Sequence, residues 1–251
     1  MEIETLNSKT VAELVANDYR TAEIFKKHGI DFCCGGKKSI AKVCSEKNII
    51  AEEIEKEILA LQHQPKDSDH NFNEWSLIFL TDYILNVHHT YVSNNLGLIS
   101  EFAEKVARVH GDHSPETKDI AKLWGEIVSE LTMHMKKEEL LLFPYIKNVE
   151  RYSKGSLKEF PSTHFGTIKS PIRMMEQEHD LVGSLMKQIQ VLSNDFIVPD
   201  YACNTYRVLY AKLEEFQNDL FQHIHLENNI LFPKAILLEE NLTPADNSNS
   251  I

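Results

Sequence analysis

The 251-residue chain lacks the features that mark secreted and membrane proteins. It has only four cysteines, and only Cys33 and Cys34 are neighbours, so it offers no disulfide framework and suits a reducing compartment. No apolar run approaches the roughly 18 residues that a membrane-spanning helix needs. The first residues, which include Glu2 and Glu4, lack a signal-peptide pattern. We therefore expect a soluble cytoplasmic protein with no membrane partner.

Positive charge and alternating sequence patterns are also scarce. The chain carries 26 Lys and Arg residues against 38 Asp and Glu residues, a formal net charge of −12, whereas nucleic-acid binding depends on clustered Lys and Arg. Almost no stretch alternates with the period of two that strands show, and a hydrophobic fraction of 42% is ample for a core. These observations predict an all-α protein and argue against nucleic acid as a partner.

Turn and linker signals divide the chain into a small N-terminal domain and a larger bundle. Residues 1–63 contain short periodic segments separated by turns, one of which reads Cys33-Cys34-Gly35-Gly36. Residues 64–72 are polar and are predicted to form a linker. Residues 73–240 contain four long helical patterns. Residues 241–251 are polar and are predicted to form a flexible tail.

Start and stop signals mark several of these helices. The pairs Ser114-Pro115 and Ser170-Pro171 predict the starts of the second and third long helices, because Ser caps helix N-termini and Pro suits the first helical position. Gly29 predicts the end of a short helix in the N-terminal domain, because glycine readily adopts the left-handed conformation found there.

A motif of the form His-x3-Glu-x3-Leu-Phe-Pro occurs twice in the long helices, once with His134 and Glu138 and once with His223 and Glu227. Four residues are slightly more than one helical turn, so each pair lies on one face. Both pairs lie in apolar stripes, where a buried Glu is costly unless it is paired or coordinated. Each motif is therefore predicted to offer an imidazole and a carboxylate to a metal site.

The same offset finds two more histidines. His134 and His223 are 89 positions apart, and His89 and His179 are 90 positions apart, with apolar residues at matching places around them. A lone histidine on an apolar face is more often a core residue than a ligand, but four histidines and two glutamates at equivalent positions are hard to explain by packing. The repeat predicts two helical hairpins that form a four-helix bundle with these side chains facing inwards.

The other histidines are predicted not to be ligands. Neighbours on a helix diverge by about 100°, so only one of His88 and His89 is expected to face the core. The repeat selects His89, and His88 is the open alternative. His225 is expected to point to the far side of its helix. Six more, in loops or near helix ends, are expected at the surface: His28, His63, His70, His110, His113 and His164.

Four imidazoles and two carboxylates are too many donors for one tetrahedral zinc, and they suit two iron ions with carboxylates free to bridge them. Each ion would have about two histidines and shared oxygen ligands, which leaves positions for an oxide, water or a small molecule. Imidazoles together with carboxylates favour iron or manganese over soft metals, and we expect two iron ions per chain with an oxo bridge. The predicted ligands are His89, His134, Glu138, His179, His223 and Glu227.

This ligand pattern resembles that of the hemerythrin-like di-iron proteins, whose up-down four-helix bundle presents such ligands. The oxygen-carrying members have a further histidine one turn after the third-helix ligand and a differently spaced acidic ligand on the fourth helix. Here the residues one turn after His89 and His179 are Ser93 and Gly183, so neither helix supplies that imidazole. The departure argues against reversible oxygen carriage.

The N-terminal domain makes the resemblance more specific. A small helical domain with Asp31-Phe32-Cys33-Cys34-Gly35-Gly36, joined to a bundle with the stretches Met174–Asp180 and Leu226–Pro233, resembles the repair-of-iron-centres family, also called ScdA/YtfE-like. The resemblance implies a cytoplasmic, often dimeric di-iron protein that restores iron–sulfur clusters damaged by oxidative and nitrosative stress, by donating iron. It assigns the family's metal ligands to the six residues of the repeat.

Cys33 and Cys34 allow several interpretations. They can belong to a structural turn or act in redox chemistry. Alternatively, because Lys37 and Lys38 and a helix N-terminus follow closely, their pKa values are expected to be lowered, and thiolates are soft ligands for iron. The hypothesis is that the pair docks to a damaged cluster protein or passes iron towards it.

Three functions remain open from the sequence. The first is a repair protein that donates labile iron to damaged iron–sulfur proteins. The second is an oxidoreductase that reduces nitric oxide, peroxide or oxygen at the same irons. The third is a reversible sensor of a small diatomic. Open coordination positions and the Cys-Cys-Gly-Gly domain favour the first, and the missing histidine counts against the third.

Overall fold

The computed structural model describes residues 6, 8–62 and 71–243. Within these ranges the chain forms eight α-helices, a short 3-10 helix (Phe72–Glu74) and no strand. The only β-type pairing there is an isolated bridge between Thr10 and Ser39. This confirms the predicted all-α class. No helix in the described ranges combines the length and apolar character needed to cross a bilayer.

Most of the predicted linker, residues 64–72, and of the predicted tail, residues 241–251, lies outside the described residues. The last helix ends at Leu242, two residues beyond the predicted end of the bundle at 240. The domain boundaries therefore stay predictions.

Four short helices form the N-terminal domain: α1 (Val11–Asn17), α2 (Thr21–Lys27), α3 (Ile40–Lys47) and α4 (Ala51–Gln62). Thr10 caps α1 with a capping box, in which its hydroxyl accepts from the Glu13 N–H and the Glu13 carboxylate accepts from the Thr10 N–H. Helix α2 stops where Gly29 takes a φ of +62°, as its sequence predicted.

Four long helices form the bundle, and three of them contain a π-helical segment. They are α5 (Leu77–Tyr83, the π segment Ile84–His89, Thr90–His110), α6 (Glu116–Lys137, the π segment Glu138–Leu142, Phe143–Ser153), α7 (Lys169–Leu192) and α8 (Asn204–Leu226, the π segment Glu227–Leu231, Phe232–Leu242). We call α5 and α6 the first hairpin, and α7 and α8 the second hairpin.

The two Ser-Pro pairs lie close to the helix starts but not at the predicted residue. Helix α6 begins at Glu116, just after Pro115, and α7 begins at Lys169, two residues before Pro171. The N–H groups of a first helical turn have no intrahelical partner, so proline is tolerated anywhere in that turn. The pairs therefore located the starts only to within one or two residues.

The Leu-Phe-Pro part of the repeated motif explains two of the π segments. Pro144 and Pro233 lie in the first turn after the π segments of α6 and α8. A proline inside a helix has no N–H for the carbonyl four residues earlier, and its ring clashes with that carbonyl. Widening the preceding turn relieves both problems, and π turns of this kind occur often at functional sites.

A layer of buried polar side chains separates two apolar clusters in the bundle. One cluster includes Leu131 and Val182 and extends into the N-terminal domain, where Phe25 belongs to it. The other includes Phe143 and Met175 at the opposite end of the bundle. The polar layer between them contains the repeated histidines and glutamates.

The N-terminal domain packs on helices α7 and α8 through the loop that contains the two cysteines. The Asn229 side chain donates to the backbone oxygens of Phe32 and Cys33, at 3.3 and 3.1 Å. Lys37 pairs with Glu176 at 2.7 Å. On the same face of α7, Lys187 pairs with Asp31 and lies 6.0 Å from the centre of the Phe221 ring. The cysteine loop is thus held against the helices that carry His179 and Glu227.

Candidate metal centre

The structure brings the six predicted ligand side chains into one buried cluster. Each is at most 2% exposed, and they come from all four long helices: His89, His134, Glu138, His179, His223 and Glu227. The His-x3-Glu spacing puts each imidazole and its carboxylate on one helical face, as the sequence predicted.

Glu138 lies between an imidazole of its own helix and one from α5. Its Oε2 is 3.3 Å from the Nε2 of His134 and 3.4 Å from the Nε2 of His89. Neither Glu138 oxygen has a hydrogen-bond partner among the described residues, although the side chain is fully buried. An unpartnered buried carboxylate is costly, so positive charge beside its oxygens is favourable.

Glu227 has the matching position in the second hairpin. Its Oε1 is 3.1 Å from the Nε2 of His223, and its Oε2 is 3.1 Å from the Nε2 of His179. The Nε2 of His89 also lies 3.9 Å from Oε1. Each carboxylate therefore has imidazoles from two helices beside it.

These side chains form two groups of four, and both glutamates belong to both groups. Within each group one ligand atom from every residue lies within 4.8 Å of the others. Group A contains His134, Glu138, His179 and Glu227, and group B contains His89, Glu138, His223 and Glu227. Each group could hold a metal ion with two imidazoles, and the two carboxylates are common to both groups.

Three of the four imidazoles have a hydrogen-bond partner at Nδ1, the ring nitrogen that faces away from the cluster. His89 is 2.9 Å from Glu139, and His134 is 2.9 Å from Glu178. The Nδ1 of His179 is 2.8 Å from the Asn228 side-chain oxygen. An oxygen bound to Nδ1 fixes the tautomer and aims Nε2 at the cluster, which is the usual support of a metal-binding histidine.

The electrostatics of the cluster favour bound positive charge. Burial and the Glu227 charge raise the pKa of the Glu138 carboxyl, but His134 and His89 outweigh them and lower it to about 2. Burial lowers the pKa of the His89 and His134 imidazoles, but the carboxylates outweigh it and raise both to about 10. Protons and metal ions compete for the same Nε2 atoms, so metal binding weakens as the pH falls.

Sequence reasoning missed Glu139, Glu178 and Asn228, the residues that hold the imidazoles. Each is directly adjacent in sequence to a predicted ligand. Glu139 and Asn228 are also 89 positions apart, so the repeat contained a signal for both. Which imidazole each one supports depends on how the helices are arranged in space.

Two histidines that were expected to point away from the core are buried. His88 is 1% exposed beside the equally buried His89. His88 faces Asp219 on α8, at 2.9 Å, and His89 faces α6. A bundle helix contacts two neighbours, so its buried arc is wide enough for adjacent residues.

His225 is also buried, at 0% exposure, because the N-terminal domain covers its face of α8. Its ring packs 6.0 Å from the ring of Phe32 and 6.1 Å from that of Tyr19. Of the histidines expected at the surface, His113 and His164 are exposed and His28 and His110 are partly buried, whereas His63 and His70 lie outside the described residues.

The expectation that the thiols have lowered pKa values is wrong for Cys33. A hydrogen bond with Cys34, burial and the nearby Asp31 carboxylate raise the pKa of the Cys33 thiol well above its ordinary value. Lys37 and Lys38 form ion pairs with Glu176 and Glu46 instead of contacting the thiols. The two sulfur atoms are 3.8 Å apart, and both cysteines are free.

Comparison with known proteins agrees with this geometry. Residues 80–235 match the family model "Hemerythrin HHE cation binding domain", and residues 7–62 match ScdA_N, "Domain of Unknown function (DUF542)". The Iron-sulfur cluster repair protein YtfE of Yersinia pseudotuberculosis serotype O:1b (strain IP 31758) is 37% identical over 217 residues, which is 86% of this chain and 91% of the relative. The chain belongs to the YtfE family. The YtfE protein of Yersinia pestis (strain Pestoides F) is 36% identical over the same shares of both chains.

Membership in the YtfE family explains the two-part architecture. The cation-binding family model covers the bundle residues that bring the histidines and glutamates together, and the ScdA_N model covers the cysteine loop and its helices. Both parts of the family pattern are therefore present in this chain, and they pack against each other beside the candidate centre.

Proposed function

We propose that this protein repairs damaged iron–sulfur clusters by donating iron from a labile di-iron site. The observation that carries the proposal is the sharing of Glu138 and Glu227 by two four-residue groups. The two relatives reported above are named iron–sulfur cluster repair proteins, which supports a role for this chain in cluster repair. Iron is the cargo in this proposal, and the damaged iron–sulfur protein is its acceptor.

The residues present fit two iron ions. Group A and group B each offer two imidazoles and the two shared carboxylates, a mixture of nitrogen and oxygen donors that suits iron. Four donors per ion leave coordination positions open for an oxo bridge or water, and an ion with open positions exchanges more readily than a fully enclosed one. The metal ligands we assign are His89, His134, Glu138, His179, His223 and Glu227.

The chain itself supplies burial, orientation and charge. The apolar clusters on both sides of the polar layer exclude bulk water, and the Nδ1 contacts orient the imidazoles. When bound, two irons in this setting would supply exchangeable ferrous ions and one-electron redox chemistry.

The cysteine loop is the proposed contact for the acceptor protein. A Cβ atom added at Gly183, one turn after His179, would lie 3.5 Å from the Cys34 sulfur, so the thiol rests directly on the helix that carries a proposed ligand. Cys34 is partly exposed, whereas Cys33 is 2% exposed. Cys34 is therefore the better placed of the two to meet an acceptor, and the raised pKa of Cys33 argues against a thiolate there.

The remaining elements of the proposal concern the cellular setting. We propose that the protein acts in the cytoplasm during oxidative and nitrosative stress, as a homodimer. Residues 1–63 would form the acceptor-contacting domain, 64–72 the linker, 73–240 the di-iron bundle and 241–251 a flexible tail.

Isotope transfer tests the proposed function. Protein loaded with iron-57 would be mixed with an iron–sulfur enzyme inactivated by nitric oxide, and both the label in that enzyme and its activity would be followed. We expect the label and the recovered activity to appear together in the inactivated enzyme. A Glu227→Leu variant that carries no iron should restore no activity. Turnover of nitric oxide by the loaded protein plus a reductant, without loss of iron, would instead support an oxidoreductase.

The role of the thiols is tested in the same assay. A Cys33→Ser/Cys34→Ser variant should keep its iron and transfer it more slowly. Transfer at the rate of the unmodified protein would overturn the assignment of the loop as the acceptor contact.

A further inference from the structure

The four ligand imidazoles are not supported equally. Those of His89, His134 and His179 each have an oxygen within hydrogen-bond distance of Nδ1. The Nδ1 of His223 is buried and has no hydrogen-bond partner among the described residues. His223 belongs to group B, so group B has one held imidazole and group A has two.

The internal repeat shows where the fourth partner would be. Glu139 and Asn228, 89 positions apart, each support the imidazole of the other helix in their own hairpin. Glu178, which supports His134 from the opposite hairpin, corresponds at an offset of 90 to His88. His88 therefore occupies the position from which a carboxylate would hold His223.

His88 does not replace that carboxylate. Its ring lies parallel to the ring of His223, with centroids 5.5 Å apart and an interplanar angle of 6°, so it contacts the face of the imidazole and not Nδ1. Its own Nδ1 is bound to Asp219 at 2.9 Å, and its buried Nε2 has no partner in the described part of the chain. The Asp219 carboxylate thus contacts His88, and no described residue supplies an oxygen to the Nδ1 of His223.

The corresponding contact in group A is reinforced. Glu178 accepts from His134 and also pairs with Lys137, so the carboxylate is fixed on both sides. The residue that corresponds to Lys137 at an offset of 89 is Leu226, which cannot make such a pair. The two groups therefore have equal ligands and unequal support.

We infer that the two metal positions differ in affinity, that group B is the weaker one, and that it releases its ion first. The inference rests on the proposed di-iron function and specifies which ion is the labile cargo. A carboxylate on Nδ1 raises the basicity of the imidazole and holds its orientation, and loss of such a partner typically weakens metal affinity about 10–100-fold. Glu178 is on this account a positioning residue for His134.

Release of iron to a chelator tests the inference. Protein loaded with ferrous iron would be mixed with an excess of a strong ferrous chelator, and formation of the coloured complex would be followed in time. We expect two phases of equal amplitude whose rates differ about 10–100-fold. A Glu178→Ala variant should accelerate the slow phase and leave the fast phase unchanged.

Glu139→Ala is the matched control, because it removes the partner of His89 in group B. It should accelerate the fast phase only. Glu178→Gln keeps an acceptor oxygen for His134 and should have an intermediate slow phase, which also covers the case in which the alanine variant misfolds. His88→Leu should leave the slow phase unchanged.

Two outcomes would overturn the inference. One is the release of both ions from the unmodified protein in a single phase. The other is a slow phase that responds to Glu139→Ala and not to Glu178→Ala. Both leave the proposed function intact, because two ions per chain would still be counted in the total amplitude. A total well below two ions would overturn the di-iron assignment and the inference with it.

Discussion

The two helical hairpins carry the same ligands in different surroundings. In each, the first helix provides one histidine and the second provides a His-x3-Glu pair, and each Glu lies beside imidazoles from two helices. Around the ligands the hairpins differ, because Glu178 supports His134 whereas His88 only stacks on His223. The ligand set is thus symmetric, and the asymmetry lies in what holds the ligands.

The outer faces of the hairpins differ as well. Gly183 on α7 is buried beneath Cys34, whereas the equivalent residue of the first hairpin, Ser93, is exposed. Ser93 lines an open groove of about 280 Å³ that also contains Glu139, the partner of His89. The N-terminal domain therefore covers one side of the centre and leaves the related side open to solvent.

The largest expected effect comes from removing a shared carboxylate. Glu138→Leu or Glu227→Leu should abolish the paired-iron spectrum, because each glutamate serves both groups. Removing one partner of a buried ionic cluster costs about 3–5 kcal/mol, so both variants should fold with a lowered free energy of unfolding. Iron content, the electronic spectrum and thermal unfolding measure these effects. Two irons per chain in either variant would contradict the sharing of both carboxylates.

The next effect separates adjacent histidines of the first hairpin. His89→Ala removes a group B ligand and should lower the iron content by about one ion per chain. His88→Ala removes no member of either group, so it should keep both ions. It should lower the free energy of unfolding by about 1–3 kcal/mol, because Asp219 loses its partner. If His88→Ala lost iron and His89→Ala did not, the ligand assignment on α5 would be wrong.

A smaller effect tests the covered face of the second hairpin. Gly183→Leu should push Cys34 off α7 at a cost of about 1–3 kcal/mol and speed alkylation of Cys34, measured by mass spectrometry. Gly183→Ala should not, because its Cβ would make an ordinary 3.5 Å contact with the sulfur. Ser93→Leu is the equivalent change on the exposed face. Equal rates of Cys34 alkylation in Gly183→Leu and Ser93→Leu would contradict the assignment of the Gly183 face as covered and the Ser93 face as open.

The smallest effect concerns pH and the docking of the cysteine loop. Burial raises the pKa of the Asp31 carboxyl, but its hydrogen bond and ion pair with Lys187 outweigh burial and lower it. A lowered folded-state pKa means that the pair stabilises docking above the ordinary Asp pKa of about 3.9 and that this contribution is lost as the pH falls through the lowered value. It should be at most about 1 kcal/mol, because the Lys187 side chain is 45% exposed.

Cys34 alkylation between about pH 3 and 6, compared with the Asp31→Asn variant, measures this contribution. In the unmodified protein, Cys34 should be protected from alkylation to a constant degree at the upper end of this pH range and should lose protection as the pH falls. In Asp31→Asn, Cys34 should be less protected at the upper end of the range. Identical protection of the two proteins at the upper end would show that the pair does not hold the loop.

The sequence predicted the bundle and the convergence of the six side chains, because helical spacing and a repeat of 89 or 90 residues act along the chain. It could not predict that Glu178 supports His134 from the other hairpin, which depends on the packing of separate helices. The same limit explains His225, buried by Phe32, and Cys33, whose pKa is raised by Cys34, burial and Asp31. The sequence could have predicted the widened turns before Pro144 and Pro233, because both prolines interrupt a helical pattern.

Metal content together with the electronic spectrum of the purified protein tests the central claim most directly. Sharing of Glu138 and Glu227 by two groups predicts about two irons per chain and an absorption band from an oxo bridge. A single zinc ion per chain, with no iron band, would contradict the account.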